Sequence, residues 1–176
     1  MTHVLRKNGA KQRHSVPLRE TSAAARSGTR KAAESPADNI LALIHVFSNV
    51  IGRAFYSRIE MSHGLTIHQW RTLLTLAIHP GATAVNIVAR WALQPMSVSR
   101  AVRELQQRGL IVRRVHLNDR RSHALFLTAR GWRVYKAVVP DANARYHEIV
   151  DCVAPAERAQ LARMLVTLIR HTNELT

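Results

Sequence analysis

The sequence holds a single cysteine, Cys152, which excludes a disulfide framework or a thiolate zinc cluster within one chain. A reducing, cytoplasmic setting is the simplest reading. Aromatic residues make up only 5%, too few for the stacking platforms that bind single-stranded RNA. No run approaches the roughly 20 apolar residues of a membrane span, so no membrane partner is expected. Gly-rich phosphate loops, a nucleophile elbow and a carboxylate pair in a plausible cleft are all missing, so no enzyme, catalytic residue or cofactor is expected. Ten histidines are present, but no two have the i, i+4 spacing of zinc ligands on a helix, and no metal site is expected. Acids are scarce as well: 11 Asp and Glu stand against 26 Lys and Arg, a formal charge of +15.

Lysine is also sparse. Only Lys7, Lys11, Lys31 and Lys136 are lysines, which leaves 22 arginines. The planar guanidinium fork suits phosphate and guanine edges, although a GC-rich genome would produce the same bias. Position along the chain has to decide. The length of 176 residues fits one domain with an appendage, and 47% apolar residues are enough for a core.

Residues 1–35 form a separate block, rich in Ala, Ser, Thr, Arg and Lys, with no apolar periodicity. We read it as a disordered basic arm. The remaining residues, 36–176, read as one domain, starting at Ser35-Pro36-Ala37-Asp38 with a capping serine and a proline in the first helical position. The helix that follows should bury Ile40, Leu41, Leu43, Ile44, Phe47, Val50, Ile51, Ala54 and Phe55 before Gly64 ends it. Being apolar around most of its circumference, it calls for a second covering surface beyond its own domain.

Thr66-Ile67-His68-Gln69 is a capping box stapled by Leu65 and Trp70. Its helix stops at Pro80-Gly81, and a short helix capped by Thr83 turns Ile87, Val88 and Trp91 inward. Pro95 opens a fourth helix, with Val98, Ala101, Val102 and Leu105 on one face and Arg108-Gly109 at its end. Leu110 to Val115 and Ala124 to Leu127 read as a hairpin, with a turn at Leu117-Asn118-Asp119-Arg120. Thr128 caps a long helix that Pro140 should bend or split, and Ala154-Pro155-Ala156-Glu157 begins the last one. The fold class is therefore all-α with a small β-hairpin wing.

Two short helices joined by Leu93-Gln94, the second with an exposed Pro95, Ser97, Ser99, Arg100, Arg103 face, describe a helix-turn-helix. The hairpin makes it a winged one. The second helix would lie in the major groove of double-stranded DNA, with Arg100 and Arg103 forked onto guanines and the serines on bases or phosphates. The wing would take Arg120 into the adjacent minor groove. A solvated face and an ordinary charged turn are the plain alternative. Against it, residues 90–133 carry ten arginines and only Glu104 and Asp119 as acids, where a solvated face would mix the signs.

Residues 65–131 resemble the multiple-antibiotic-resistance regulator (MarR) family of winged-helix repressors. The most specific match is Asp119-x-Arg121-x-x-x-Leu125-x-Leu127-Thr128-x-x-Gly131, similar to the family's wing signature, and Leu105-x-x-x-Gly109-Leu110 matches the end of its recognition helix. The resemblance implies that Asp119 braces the wing, that Arg121 enters the minor groove, and that Ser97, Ser99 and Arg100 contact DNA. It also implies a homodimer built from the first, fifth and sixth of the six predicted helices. On that division residues 36–64 and 129–176 dimerise and 65–128 form the DNA-binding lobe. Asn86 stands where an acid is usual, and Pro95 and Arg103 are unusual, so base preference does not carry over.

The family often binds small aromatic or phenolic acids between the dimer helices and the lobe. A polar row, His45, Asn49 and Arg53, recurs at i, i+4, i+8 on the first helix, with His68 able to close the same pocket around a carboxylate. A row bonded to the partner chain or to water is the alternative. Cys152 reads as a buried, inert thiol. Together these expectations describe a homodimeric regulator, a repressor released by a small ligand. The rival is an architectural nucleic-acid-binding protein without an effector.

Overall fold

The computed structural model describes residues 39–116 and 119–175, the side chains of residues 116 and 119–122 excepted. The basic arm, the start signal at Ser35-Pro36-Ala37-Asp38 and the turn residues Leu117-Asn118 lie outside the described residues. The first helix, α1 (Ile40–Ile51), is capped by Asn39, whose side chain accepts from the Leu41 and Ala42 amides at 2.9 and 3.3 Å. Asn39 thus takes the role expected of Ser35, because it supplies the oxygen one step before the apolar run.

A π-helical turn, Gly52–Tyr56, runs from α1 into α2 (Ser57–His63), and Gly64 at φ +59° closes the rod. The Arg145 side chain donates to the Ala54 carbonyl within that turn at 2.9 Å. His63 meets Asp141 at 2.7 Å, a second tie between the rod and α6 (Ala129–Val150). None of the α1 residues expected to be buried is buried within the chain; on the rod only Ile59 is. The rod is also long and apolar enough, by length and composition alone, to cross a membrane, although polar residues interrupt its apolar run.

The core lies further along. Leu65, Trp70, Leu73 and Leu76 of α3 (Ile67–Ile78) and its lead-in meet Ile87 of α4 (Ala84–Trp91). Val98, Val102 and Leu105 of α5 (Pro95–Gln107), Leu110 and Ile111, Leu125, and Val138 and Ala142 complete it. The hairpin pairs β1 (Ile111–His116) with β2 (Asp119–Leu127) in antiparallel register from Ile111–Leu127 to Val115–His123, then slips so that His116 pairs with Asp119. Asp119 and Arg120, expected in the turn, therefore belong to β2: backbone pairing prevails over the weak strand preference of polar residues. Helix α6 passes through Pro140 without splitting, and α7 (Pro155–Glu174) has no buried residue, its Leu161, Met164, Leu168 and Ile169 lying exposed. Cys152 is exposed rather than buried, because the α6–α7 turn lies away from the core.

Gly131 is fixed by contact. A Cβ there would stand 2.0 Å from the Leu110 carbonyl oxygen. Thr128 donates its amide to that oxygen at 3.0 Å and its hydroxyl to the Gly109 carbonyl at 2.8 Å, while accepting from the Gly131 amide at 3.0 Å. The opposite case is Ala92, held at φ +48° in the α4–α5 turn, where a side chain is strained. Gly131→Ala should lower the unfolding free energy by roughly 1–3 kcal/mol through overpacking, whereas Ala92→Gly should raise it by about 1 kcal/mol. Denaturant unfolding of the two variants checks both signs.

Candidate nucleic-acid interface

Helices α4 and α5 owe their angle to their ends. Thr83 and Asn86 form a reciprocal capping box, with Asn86 Oδ1 accepting from the Thr83 amide at 2.9 Å and Thr83 Oγ1 accepting from the Asn86 amide at 3.2 Å. The residue that departs from the family pattern therefore still does a capping job, without adding a negative charge beside the helix. Trp91 at the far end of α4 donates its indole N–H to Thr75 Oγ1 at 2.9 Å. Ala92 and Leu93 turn the chain, and Pro95 starts α5 as expected.

Val98, Ala101, Val102 and Leu105 are all buried, which fixes the rotation of α5. Pro95, Ser99, Arg100 and Arg103 consequently face solvent, while Ser97 is half-buried at the edge of that face. Met96, which the sequence reading did not single out, is 78% exposed on the same face. The backbone of residues 119–121 lies in β2, but the side chains of Asp119, Arg120 and Arg121 lie outside the described residues. Arg113 of β1, also not singled out, is exposed and lines a cleft of about 240 Å³ with Thr83, Ala84 and Val85 at the start of α4.

The end of α5 is anchored by a network that only folding reveals. The buried Gln69 donates to Glu104 at 2.7 Å, and its carbonyl oxygen accepts from the Thr66 amide at 3.1 Å and from Arg108 at 3.4 Å. Arg108 also donates to the Gly64 carbonyl at 2.9 Å. Apart from the Thr66–Gln69 capping box, these partners are far apart in sequence, and no local pattern announces them.

His68 lines a cleft of about 420 Å³ together with Thr66, Met96, Ser97, Arg100, Ala101 and Glu104. Its Nδ1 is buried and has no hydrogen-bond partner among the described residues. His45, Asn49 and Arg53 are exposed along the rod and do not line that cleft. Within one chain, then, the four expected ligand contacts are not brought together. Tyr56 instead receives a hydrogen bond from Arg71 at 3.3 Å, and the Arg71 guanidinium lies 5.2 Å from the Tyr56 ring and 5.0 Å from the Trp91 ring. Among the described residues no group of three or more His, Cys, Asp or Glu side chains is placed to hold a metal ion.

The helix pair, its turn and the following hairpin define a winged helix-turn-helix protein. The MarR family model matches residues 63–122. A helix-turn-helix-type transcriptional repressor of Mycobacterium tuberculosis is 31% identical over 108 residues, 60% of this chain and 76% of that protein. A MarR/EmrR-family regulator of Acinetobacter sp. ADP1 superimposes with a TM-score of 0.74 at 22% identity, over 80% of this chain and 99% of that one. CouR of Rhodococcus jostii RHA1, solved bound to p-coumaroyl-CoA, superimposes with a TM-score of 0.69 at 20% identity, over 77% of this chain and 95% of that one. The chain belongs to the MarR family. That is a family of DNA-binding transcription regulators, not of enzymes.

Burial lowers the pKa of His68 below its ordinary value, and the Arg71 charge adds to the effect. The unfolded chain therefore binds a proton here more readily than the folded one, so stability falls as pH drops below about 6.5 toward the folded pKa. Unfolding measured at pH 7.5 and 5.5 should show this loss in the wild type and a smaller one in His68→Phe. Equal losses in both would assign the pH dependence to other groups.

Proposed function

We propose that the chain acts as a homodimeric, sequence-specific repressor that docks α5 in the major groove and is released by a small aromatic or phenolic carboxylate. The observation that carries the DNA reading is the outer face of α5, where Arg100 and Arg103 are exposed beside Pro95 and Ser99 while the opposite face is wholly committed to the core. Arginine in this setting forks onto guanine O6 and N7, and serine reaches a base or a phosphate. Ser97 serves from the edge, Asp119 and Arg121 act at the wing as the family resemblance assigns them, and Arg120 acts beside them as a basic residue of the wing.

The dimer reading rests on apolar surface. Ile40, Leu41, Phe47 and Val50 of α1 and Leu161, Met164 and Ile169 of α7 are all exposed within one chain. Contiguous apolar faces of this kind mark an interface, and a second copy of the same helices supplies the complementary one. Residues 36–64 and 129–176 then dimerise, residues 65–128 form the DNA-binding lobe, and two α5 helices meet DNA about one turn, roughly 34 Å, apart.

The effector reading has separate support. His68 lines a cleft that also presents Arg100, a cation suited to a carboxylate, and a related fold has been solved bound to p-coumaroyl-CoA. His68 and the row His45, Asn49 and Arg53 are the proposed contacts.

Footprinting should give two protected half-sites about one turn apart, while uniform protection would favour an architectural role. Log affinity should fall steeply against log salt, as expected for on the order of 6–10 phosphate contacts. Arg100→Ala should cost roughly 1–3 kcal/mol of specific affinity per half-site. Titration with phenolic acids should release DNA from the wild type, and affinity unchanged in Arg53→Ala would remove Arg53 from the site.

A further inference from the structure

We propose that Met96 reads a thymine, its thioether side chain packing on the C5-methyl group in the major groove. The proposal rests on the reading of α5 as the recognition helix and adds a specificity-determining residue to it.

Every other large apolar side chain on α5 is turned inward: Val98, Val102 and Leu105 are buried, whereas Met96 is 78% exposed. Its neighbours one and two turns along the same face are Arg100 and Arg103, both exposed. Met96 therefore differs from the exposed apolar residues of α1 and α7, which form continuous stripes suited to another helix. A single apolar side chain beside two arginines, on a face aimed at a polyanion, suits an apolar group on that polymer. In the major groove the thymine methyl is that group, the other features of the base edges being hydrogen-bond donors and acceptors.

Position favours the same contact. Met96 is the second residue of α5, and recognition helices meet base edges with their N-terminal residues. Methionine is unbranched and polarizable, so it adapts to the methyl group without a fixed rotamer. Arg100 follows four residues later, about 6 Å along the axis. With bases stacked about 3.4 Å apart, the thymine should lie one or two steps from the guanine that Arg100 reads. A homodimer makes the contact twice.

The test uses the full chain and a duplex that it selects from random DNA, in which each thymine is replaced in turn by deoxyuridine. That exchange removes the methyl group and leaves every hydrogen-bonding atom. One thymine per half-site should lower wild-type affinity about fourfold, and the symmetric pair about 15-fold. Met96→Ala should bind the thymine duplex correspondingly more weakly and respond to uracil at that position less than twofold. Specific binding by the wild type that tolerates uracil everywhere overturns the Met96 contact and leaves the DNA reading standing. So does a Met96→Ala protein that is as sensitive to uracil as the wild type, which would leave Met96 merely lining the His68 cleft. Failure to select any duplex overturns both readings.

Discussion

The buried carboxamide of Gln69 is the point on which the geometry of this lobe depends. A primary amide taken out of water has to place two donors and an acceptor. Gln69 donates across to Glu104 on α5, and its oxygen accepts from the Thr66 amide at its own helix start and from Arg108 at the end of α5. Arg108 continues to the Gly64 carbonyl, where the α1–α2 rod ends. One side chain thus ties the start of α3 to α5 and, through Arg108, to the end of the α1–α2 rod. Removing it would leave a carboxylate and a guanidinium partly buried and under-satisfied, at a cost of about 1–3 kcal/mol.

A second path joins the rod to the helix-turn-helix. Tyr56 closes the π-helical turn, Arg71 of α3 lies against it, and the other side of the same guanidinium meets Trp91 at the end of α4. Arg145 holds the turn from α6 through the Ala54 carbonyl. A ligand shifts an equilibrium only through contacts that differ between its two states. Gly64–Arg108 and Tyr56–Arg71–Trp91 are two contacts through which such a difference would pass between the rod and the helix-turn-helix. His68, one turn before Arg71 on α3, sits close to both paths along the chain.

The sequence made local features legible and non-local ones opaque. Thr66 and Gln69, Thr83, Pro95 and the Gly109 stop each announce a helix end through a few adjacent residues, and all are found in place. The buried face of α5 was equally readable, since Val98, Ala101, Val102 and Leu105 follow helical spacing. Asn39 was missed because Ser35 and Pro36 carry an equally good cap signal a turn earlier. The extension of β2 back to Asp119 was missed because its first residues are polar, and a ladder depends on its partner strand more than on intrinsic preference. Residues of α1 were assigned to a core that one chain does not supply: periodicity says which side is apolar, not what covers it. The His68 cleft was half legible. His68 stands out in the sequence, but its cleft neighbours Ser97, Arg100 and Glu104 belong to a helix some thirty residues away, and nothing local points to them.

The charge distribution gains meaning once the arginines are sorted by what they touch. Within residues 90–133 ten arginines face two acids, a net +8. Not all of that charge is presented to a polyanion. Arg108 is engaged by Gly64 and Gln69, Arg90 meets the His79 ring nitrogen at 2.9 Å, and Arg114 lies over Phe126 at 5.1 Å. The acid Glu104 is in turn held by Gln69 rather than left to repel a phosphate. Arg100, Arg103, Arg113 and Arg114 are exposed on α5 and β1, Arg114 despite its ring contact, and Arg90 is exposed at the end of α4, so Arg108 is the one drawn in. The raw excess of base therefore overstates the number of phosphate contacts, and the salt dependence of binding should follow the exposed subset rather than the composition. A GC-rich genome would account only for the choice of arginine over lysine across the chain. It does not explain why some guanidiniums fasten the helix-turn-helix from behind while others are left open on its outer face; the amphipathic pattern of α5 does, because burying Val98, Val102 and Leu105 leaves Arg100 and Arg103 no other direction to point.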